Sequence, residues 1–468
     1  MSYSMQLSEL AVITAGKLQG ADYQFDSLST DTRKVQAGDV FLALSGENFD
    51  GHQFCQQAVV AGGAAFVGGG LIDVDVPQLL VNSCHLALGS IAKYNRDQYR
   101  GPLIAVTGSN GKTTTKELIA SILTVKGNTL ATEGNLNNEI GVPLTLLRFN
   151  GQQQYSVVEM GANGKGEISY CTALAQPNVA IITNAMGAHL EGFGSIQGVV
   201  EAKGEIFQGL VSGGTAVLNL DDSNVNQWMT MLQTDQNGAI NSLTFSLENP
   251  QADVYASGLK QLSDGNYSFQ LHYQGRSAAV TLQLLAIHNV LNALAASAAV
   301  FAIGASLSEV VQGLENVAAI GGGVRGLSAI NNATVIDDSY NGNPDSVKAG
   351  IDLLAQLQGR KILALGDMAE LGEDEQQLHR SIGTYAAQQG IDYLFSCGPL
   401  GELAAIEFAE NKGSAVNAFA NKHEMLKTLK TMMNAQTKVL IKGSLSSGMK
   451  QVVNELTQGV SANVTTII

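Results

Sequence analysis

The residues best placed to do chemistry lie between Ile104 and Glu117. Ile104 to Thr107 suit a buried strand; a glycine-bearing loop follows, then Lys112, then hydroxyl residues that open a helix. From Ala105 to Thr113 the spacing matches A-x-x-x-x-G-K-T, the pattern of a phosphate-binding P-loop. Backbone N–H groups and the helix N-terminus of such a loop form a concave cradle for phosphate. Gly108, Ser109, Asn110, Gly111, Lys112, Thr113 and Thr114 would line it. Lys112 adds a positive point charge, and the Thr113 hydroxyl can reach a phosphate-bound Mg2+. A nucleoside triphosphate is the expected ligand. The alternative is a strand-turn-helix connection that merely happens to contain Gly-Lys-Thr.

Other candidates follow strand-like runs. Glu159 closes Val157-Val158-Glu159-Met160-Gly161, and a carboxylate beside a P-loop can hold Mg2+ directly or through water. His189 lies in Ala188 to Gly194 and Lys203 in Glu201 to Phe207. A lone His is more often structural and a helical Lys more often solvated. Their place after a strand end, in a segment that already carries a P-loop, makes these two candidates. The clusters Ser29 to Lys34 and Gly46 to His52 read on their own as solvated turns with convergent donors. Ile320 to Leu327 sets glycines around Arg325, a plausible hinge. Asp337 to Ser346 reads as a strand end, a turn and a capped helix, while Leu365 to Gly372 resembles a dinucleotide-type turn without G-x-G-x-x-G.

These residues need scaffolds to hold them. Short apolar runs alternate with helical patterns, as at Tyr155 to Met160, Val179 to Thr183 and Ala216 to Leu220, which predicts a mostly parallel sheet with ligands at the strands' carboxyl ends. Before them come strand candidates Val40 to Leu44 and Ala64 to Val67 with a helix over Gln53 to Ala61 between, and Tyr94 to Pro102 reads as a polar linker. Residues 237 to 283 read as an antiparallel excursion, and Leu284 to Ala305 as a buried Ala-rich helix rather than a membrane span. A last alternating segment has strand candidates at Thr334 to Asp337, Lys361 to Leu365, Tyr393 to Ser396 and Val439 to Ile441. The expected fold class is α/β in three domains, at 1–100, 101–322 and 323–468.

Bulk composition narrows the partners. At 468 residues, 45% hydrophobic and 14% charged, the chain can bury several cores. Its formal net charge of −15 argues against nucleic acid, which is held by dense Lys and Arg surfaces. Cys55, Cys84, Cys171 and Cys397 are scattered and read as reduced thiols of a cytoplasmic protein. Met1 to Leu10 lacks the pattern of a secretory signal, and no heptad demands a partner, so no membrane insertion and a monomer are expected.

Taken together, the motifs resemble the Mur ligase family over nearly the whole chain. Ser29 to Lys34, Phe41 to Glu47 and Asp50-Gly51-His52 are similar to the family's UDP-recognition loops; Thr107 to Thr113 resembles its P-loop; Gly134 to Pro143, Asp338 to Asn341 and Leu365 to Gly372 resemble further family segments. The resemblance implies a small α/β UDP-binding domain, a central P-loop ATPase domain and a C-terminal Rossmann-like domain. It implies ATP and Mg2+ as cofactors, and UDP-N-acetylmuramoyl-tripeptide and D-alanyl-D-alanine as substrates. The activity implied is transfer of the ATP γ-phosphoryl to the peptide carboxylate, then attack of the dipeptide amine on the acyl phosphate.

By the same resemblance Lys112, His189, Lys203 and Arg325 are catalytic, and Thr113, Glu159, His189 and carbamylated Lys203 serve metals. Asn289 and Asn292 match adenine-side positions, Asp338 a ribose contact and Arg325 a γ-phosphate contact. Ser29, Thr30, Asp31, Arg33, Gly46, Glu47, Asp50, His52, Asn135, Asn138 and Asn341 fall to substrate binding. A sibling that adds one amino acid, or a folylpolyglutamate-type ligase, shares the P-loop; the UDP-like loops and Asp337 to Pro344 argue against both. A P-loop kinase or a nucleotide-gated binding protein is the reading from another class.

Overall fold

The computed structural model describes residues 4–46, 49–187, 190–234, 240–262, 265–317 and 325–458. Three principal sheets follow one another along the chain. The first has five strands in the order Lys17–Gln19, Gln78–Leu80, Ala65–Gly68, Val40–Leu42 and Leu28–Ser29; only the first pairing is antiparallel. The clusters at 29–34 and 46–52 therefore follow the carboxyl ends of neighbouring parallel strands. The helix expected over Gln53 to Ala61 forms as a 3-10 turn, Gly51–Phe54, followed by Cys55–Val60.

The second sheet has nine strands. Seven run parallel, in the order Thr129–Ala131, Tyr155–Glu159, Leu103–Thr107, Val179–Ile182, Thr215–Asn219, Asn241–Ser246 and Val254–Gln261. Leu103–Thr107 is buried throughout, as its unbroken apolar run requires of a central parallel strand. Tyr267–Tyr273 and Arg276–Leu282 complete the sheet as antiparallel ribbons. The antiparallel excursion thus begins after Val254, because Asn241–Ser246 still pairs parallel with Thr215–Asn219.

Behind the P-loop strand the helix Lys112–Lys126 starts at Gly111, φ 79°, and buries Leu118, Ile119, Ile122 and Leu123. They share one core with the helix His288–Phe301, whose alanines allow close approach. That helix is buried along most of its length, as expected. No helix among the described residues is long and apolar enough to cross a membrane.

The expectation of a linker at Tyr94 to Pro102 is corrected: Tyr94 to Gln98 end the helix Cys84–Gln98. Two of its polar residues, Asn95 and Arg96, are buried donors rather than solvated spacers. Asn95 Nδ2 reaches the carbonyls of Leu146 and Phe149 at 2.9 and 3.2 Å, and the Arg96 guanidinium reaches those of Ala175, Gln176 and Tyr99. One hydrophobic core runs across this junction, from Met5, Leu42 and Leu79 through Leu88 and Ile91 to Leu146, Ile168 and Trp228.

The third sheet has the order Arg325–Ser328, Thr334–Asp338, Thr437–Lys442, Arg360–Gly366, Tyr393–Cys397 and Asn417–Phe419; only the first pairing is antiparallel. One face carries Ile336, Leu363 and Leu394 in a core with Val347, Ile382 and Phe408. Leu285 and Ala286, from the loop before the Ala-rich helix of the central sheet, join this core. Ile320 to Val324 of the expected hinge lie outside the described residues.

Candidate active site

The P-loop is shaped by two glycines and by the neighbouring strand end. A Cβ on Gly108, φ 150°, would stand 1.8 Å from Thr183 Oγ1, and one on Gly111 would stand 2.4 Å from Asn292 Oδ1. Asn184 takes up the first N–H groups: its carbonyl accepts from Ser109 N and its Oδ1 from Asn110 N, both at 2.9 Å. The N–H groups of Ser109 and Asn110, expected to line the phosphate cradle, are bonded to Asn184 in this structure. Helix geometry leaves the N–H groups of the first turn, Lys112 to Thr114, without intrahelical acceptors. Lys112 Nζ donates to the Gly108 and Ser109 carbonyls at 2.7 and 3.2 Å. Burial holds its pKa below the ordinary lysine range, opposed by the charge of Glu159.

Glu159, 1% exposed, faces this loop from the adjacent strand end. Its Oε1 accepts from Thr113 Oγ1 at 3.2 Å and from Asn137 Nδ2 at 2.8 Å, while Oε2 is buried without a hydrogen-bond partner. The sequence reading named Asn135 and Asn138 from this segment and missed Asn137. Asn138 Oδ1 accepts from the N–H groups of Ile140 and Gly141, and Asn135 is exposed. Lys116, also missed, is buried and holds the segment's start through the Thr132 carbonyl at 2.9 Å.

Lys203 ends the helix Ile196–Gly204 and is 2% exposed, its Nζ 5.6 Å from the centre of the Phe193 ring. Burial, and then the Lys112 charge, hold its pKa well below the ordinary range. His189 lies outside the described residues, as does the side chain of Arg325, whose backbone opens the third sheet's edge strand. Asn289 and Asn292 are buried one turn apart on the Ala-rich helix. Asn289 Nδ2 donates to the Leu285 carbonyl at 2.6 Å, and Asn292 Nδ2 to Asn289 Oδ1 at 3.0 Å. The Asn292 Oδ1 that Gly111 faces is 3.5 Å from the Thr115 hydroxyl.

From the third sheet, Asp338 Oδ2 pairs with buried Lys442 Nζ at 2.8 Å. Burial raises the Asp338 pKa against the pull of that cation. Lys442 also donates to the Asn341 carbonyl at 3.0 Å, and its charge, after burial, lowers His288 to about 4. Asn341 itself is exposed. From the dinucleotide-type turn at Leu365 to Gly372, Asp367 reaches the N-terminus of the neighbouring helix Pro399–Lys412, its Oδ1 accepting from the Leu400 and Gly401 N–H groups at 3.1 and 2.7 Å.

In the first sheet, Arg33 grips Asp31 through two bonds of 2.9 and 2.8 Å and brings its pKa down to about 2. Ser29 Oγ closes the same turn on the Asp31 carbonyl, and Thr30 lies half-buried between them. Asp50 Oδ1 accepts from Ser45 Oγ at 2.9 Å and pairs with His52 Nδ1 at 2.6 Å, while His52 Nε2 accepts from Gly69 N–H. Gly46 is exposed, and Glu47 lies outside the described residues. Both clusters are thus tied turns at one end of a parallel sheet.

Residues 24–96, 106–300 and 325–445 match, in that order, the Mur ligase family catalytic domain, the Mur ligase middle domain and the Mur ligase glutamate ligase domain. Over 455 residues the chain is 41% identical to the UDP-N-acetylmuramoyl-tripeptide--D-alanyl-D-alanine ligase of Escherichia coli (strain K12), with 97% of this chain and 98% of that one covered. The chain belongs to the Mur ligase family. Its three-domain fold is that of solved members. MurF from Acinetobacter baumannii superposes with a TM-score of 0.89 at 34% identity, covering 97% of this chain and 99% of that one. MurF ligase from Thermotoga maritima in complex with ADP gives 0.80 at 26% identity, covering 92% and 96%.

Proposed function

We propose that this chain is the ATP-dependent ligase that joins D-alanyl-D-alanine to the C-terminal carboxylate of UDP-N-acetylmuramoyl-tripeptide in peptidoglycan precursor synthesis, releasing ADP and phosphate. One observation carries this: the chain matches proteins of that name along almost its entire length, at 41% identity for the Escherichia coli protein. The P-loop supplies the seat for ATP. On this reading domains 1–100, 101–322 and 323–468 bring together the UDP end, the phosphates and the acceptor amine.

The residues beside the P-loop fit a divalent cation, because Glu159 directs a buried, unpartnered carboxylate oxygen there beside the Thr113 hydroxyl, and both are hard oxygen donors. Mg2+ held there would screen the phosphate charge as the phosphoryl group moves. Lys112 adds a fixed cation, and its short bonds to loop carbonyls keep the ammonium at the cradle. Lys203, whose burial favours the neutral amine, is suited to carbamylation, which would make it an anionic oxygen donor. The roles of His189 and of the Arg325 guanidinium rest on the family resemblance.

Asp31, Asp50 and their tied turns serve the UDP end, and Asp338 the ribose. Two anionic substrates meet here, so the site works by positioning and positive charge rather than by a covalent nucleophile. The net charge of −15 disfavours a nucleic-acid partner, and the enzyme works as a cytoplasmic monomer on this reading. The test is phosphate release from ATP, which should require both the UDP-muramoyl-tripeptide and D-alanyl-D-alanine. Turnover indifferent to the dipeptide would leave a kinase or a nucleotide-gated binding protein instead.

A further inference from the structure

We propose that Asn343 is a positioning residue for the phosphate cradle, reaching from the C-terminal domain to clasp Asn110 of the P-loop. This rests on the reading that the P-loop holds ATP. Asn343 Nδ2 donates to Asn110 Oδ1 at 2.7 Å, and the reverse pairing, Asn110 Nδ2 to Asn343 Oδ1, stands at 3.5 Å. The two residues are 233 positions apart and lie in different sheets' loops.

Each partner is fixed within its own domain before it meets the other. Asn110 N–H donates to Asn184 Oδ1 at 2.9 Å, and its carbonyl accepts from Thr183 Oγ1 at 2.6 Å and from Asn184 Nδ2 at 3.2 Å. Asn343 caps the helix Pro344–Gln356: its Oδ1 accepts from Ser346 N–H at 2.9 Å, and its own N–H donates to Ser346 Oγ at 3.0 Å. A helix cap needs only the oxygen, and Ser or Asp supplies one equally well. What an Asn adds is the NH2 group on the far side of the amide, and here that group meets the P-loop. The cap thus orients the clasp.

A second chain of contacts arrives at the next residue of the loop. Leu285 and Ala286 pack into the C-terminal core. The Leu285 carbonyl accepts from Asn289, Asn289 Oδ1 accepts from Asn292, and Asn292 Oδ1 lies against Gly111, where a Cβ would come within 2.4 Å. Asn110 and Gly111 are adjacent, and each is braced from the C-terminal domain by a different route. Docking of that domain and the shape of the cradle are therefore coupled, and coupling of this kind is reciprocal. ATP favours the docked arrangement as much as docking favours ATP.

Asn343→Ser separates the two roles, because serine keeps the cap but is too short and has no amide to reach Asn110. The variant should melt with the wild type and lose about fivefold in kcat/KM for ATP, the loss expected for one hydrogen bond. The effect should appear in KM for ATP and not in KM for the UDP-muramoyl-tripeptide. In a cycle with Asn110→Ala, the double variant should lose no more than Asn110→Ala alone. An Asn343→Ser enzyme with unchanged kcat/KM for ATP, or a double variant whose loss is the product of the single losses, overturns the clasp. ADP binding by the wild type, measured by calorimetry, separates this from the reading beneath it. A wild type that binds no ADP overturns both; one that binds ADP beside a variant of unchanged kcat/KM overturns the clasp alone.

Discussion

Replacing Asn137 by Ala should weaken the enzyme's hold on Mg2+ without unfolding it. Asn137 Nδ2 donates to Glu159 Oε1 at 2.8 Å, and the other donor to that oxygen, Thr113 Oγ1, stands farther off at 3.2 Å. Asn137 therefore fixes the carboxylate so that Oε2, buried and unpartnered, is the oxygen that a divalent cation at the P-loop would meet. A hydrogen bond to a charged group contributes about 1.5–3 kcal/mol. At about 1.4 kcal/mol per decade that is roughly 10- to 100-fold, the range seen when groups that orient metal ligands are removed. The Asn137 carbonyl, which accepts from Gly161 N–H at 2.8 Å, is untouched by the change, so the loop should keep its path. The assay is phosphate release with both substrates and ATP saturating while Mg2+ is titrated. The half-saturating Mg2+ concentration should rise about 10- to 100-fold, with most of the maximal rate recovered at high Mg2+. An unchanged half-saturation point, or a loss that excess Mg2+ does not recover in a folded variant, would refute the reasoning.

Other substitutions test other parts of the molecule. Arg96→Ala should cost about 3 kcal/mol, since the guanidinium serves three carbonyls from a buried position; urea unfolding should show a lower midpoint at unchanged slope. Lys203→Ala should abolish ligation and be partly rescued by short-chain carboxylates, while the wild-type mass and activity should respond to bicarbonate; failure of rescue counts against carbamylation. His288 sits at about 4 in the folded chain against about 6.5 unfolded, so below pH 6.5 the unfolded state binds a proton that the folded state refuses. Stability is therefore complete above about 6.5 and declines as pH falls toward 4. His288→Gln should flatten that decline in urea midpoints measured across the window.

The P-loop was legible because its chemistry is local: the strand, loop and helix that build it occupy consecutive residues, Leu103 to Lys126. Glu159 could be placed because a strand end in a parallel sheet points where ligands bind. What sequence reasoning missed depends on long-range geometry. Nothing local distinguishes Asn137 from Asn135 and Asn138; only the fold decides which of the three reaches Glu159. Arg96 and Asn95 looked solvated because polarity was read as exposure, whereas their heads meet carbonyls 51 to 80 residues away. A capped helix was legible in Asp337 to Ser346, but the clasp of Asn343 was not, since its partner lies 233 residues earlier. Residues 267–282 pair antiparallel, as read, but the parallel pairings of Asn241–Ser246 with Thr215–Asn219 and with Val254–Gln261 needed partners that alternation alone cannot reveal.

The single core that runs from Met5 to Trp228 has a consequence for synthesis on the ribosome. When the helix Cys84–Gln98 emerges, part of the surface that packs against it does not yet exist, because the helices Gly141–Leu146 and Glu167–Ala175 that lie on it come later in the chain. At roughly 5–20 residues per second, the 77 residues between Gln98 and Ala175 take about 4 to 15 s to appear. For that interval the nascent N-terminal segment carries an uncovered apolar helix face. Chaperone capture should therefore concentrate on chains stalled between those two points and fall away once Ala175 has cleared the exit tunnel.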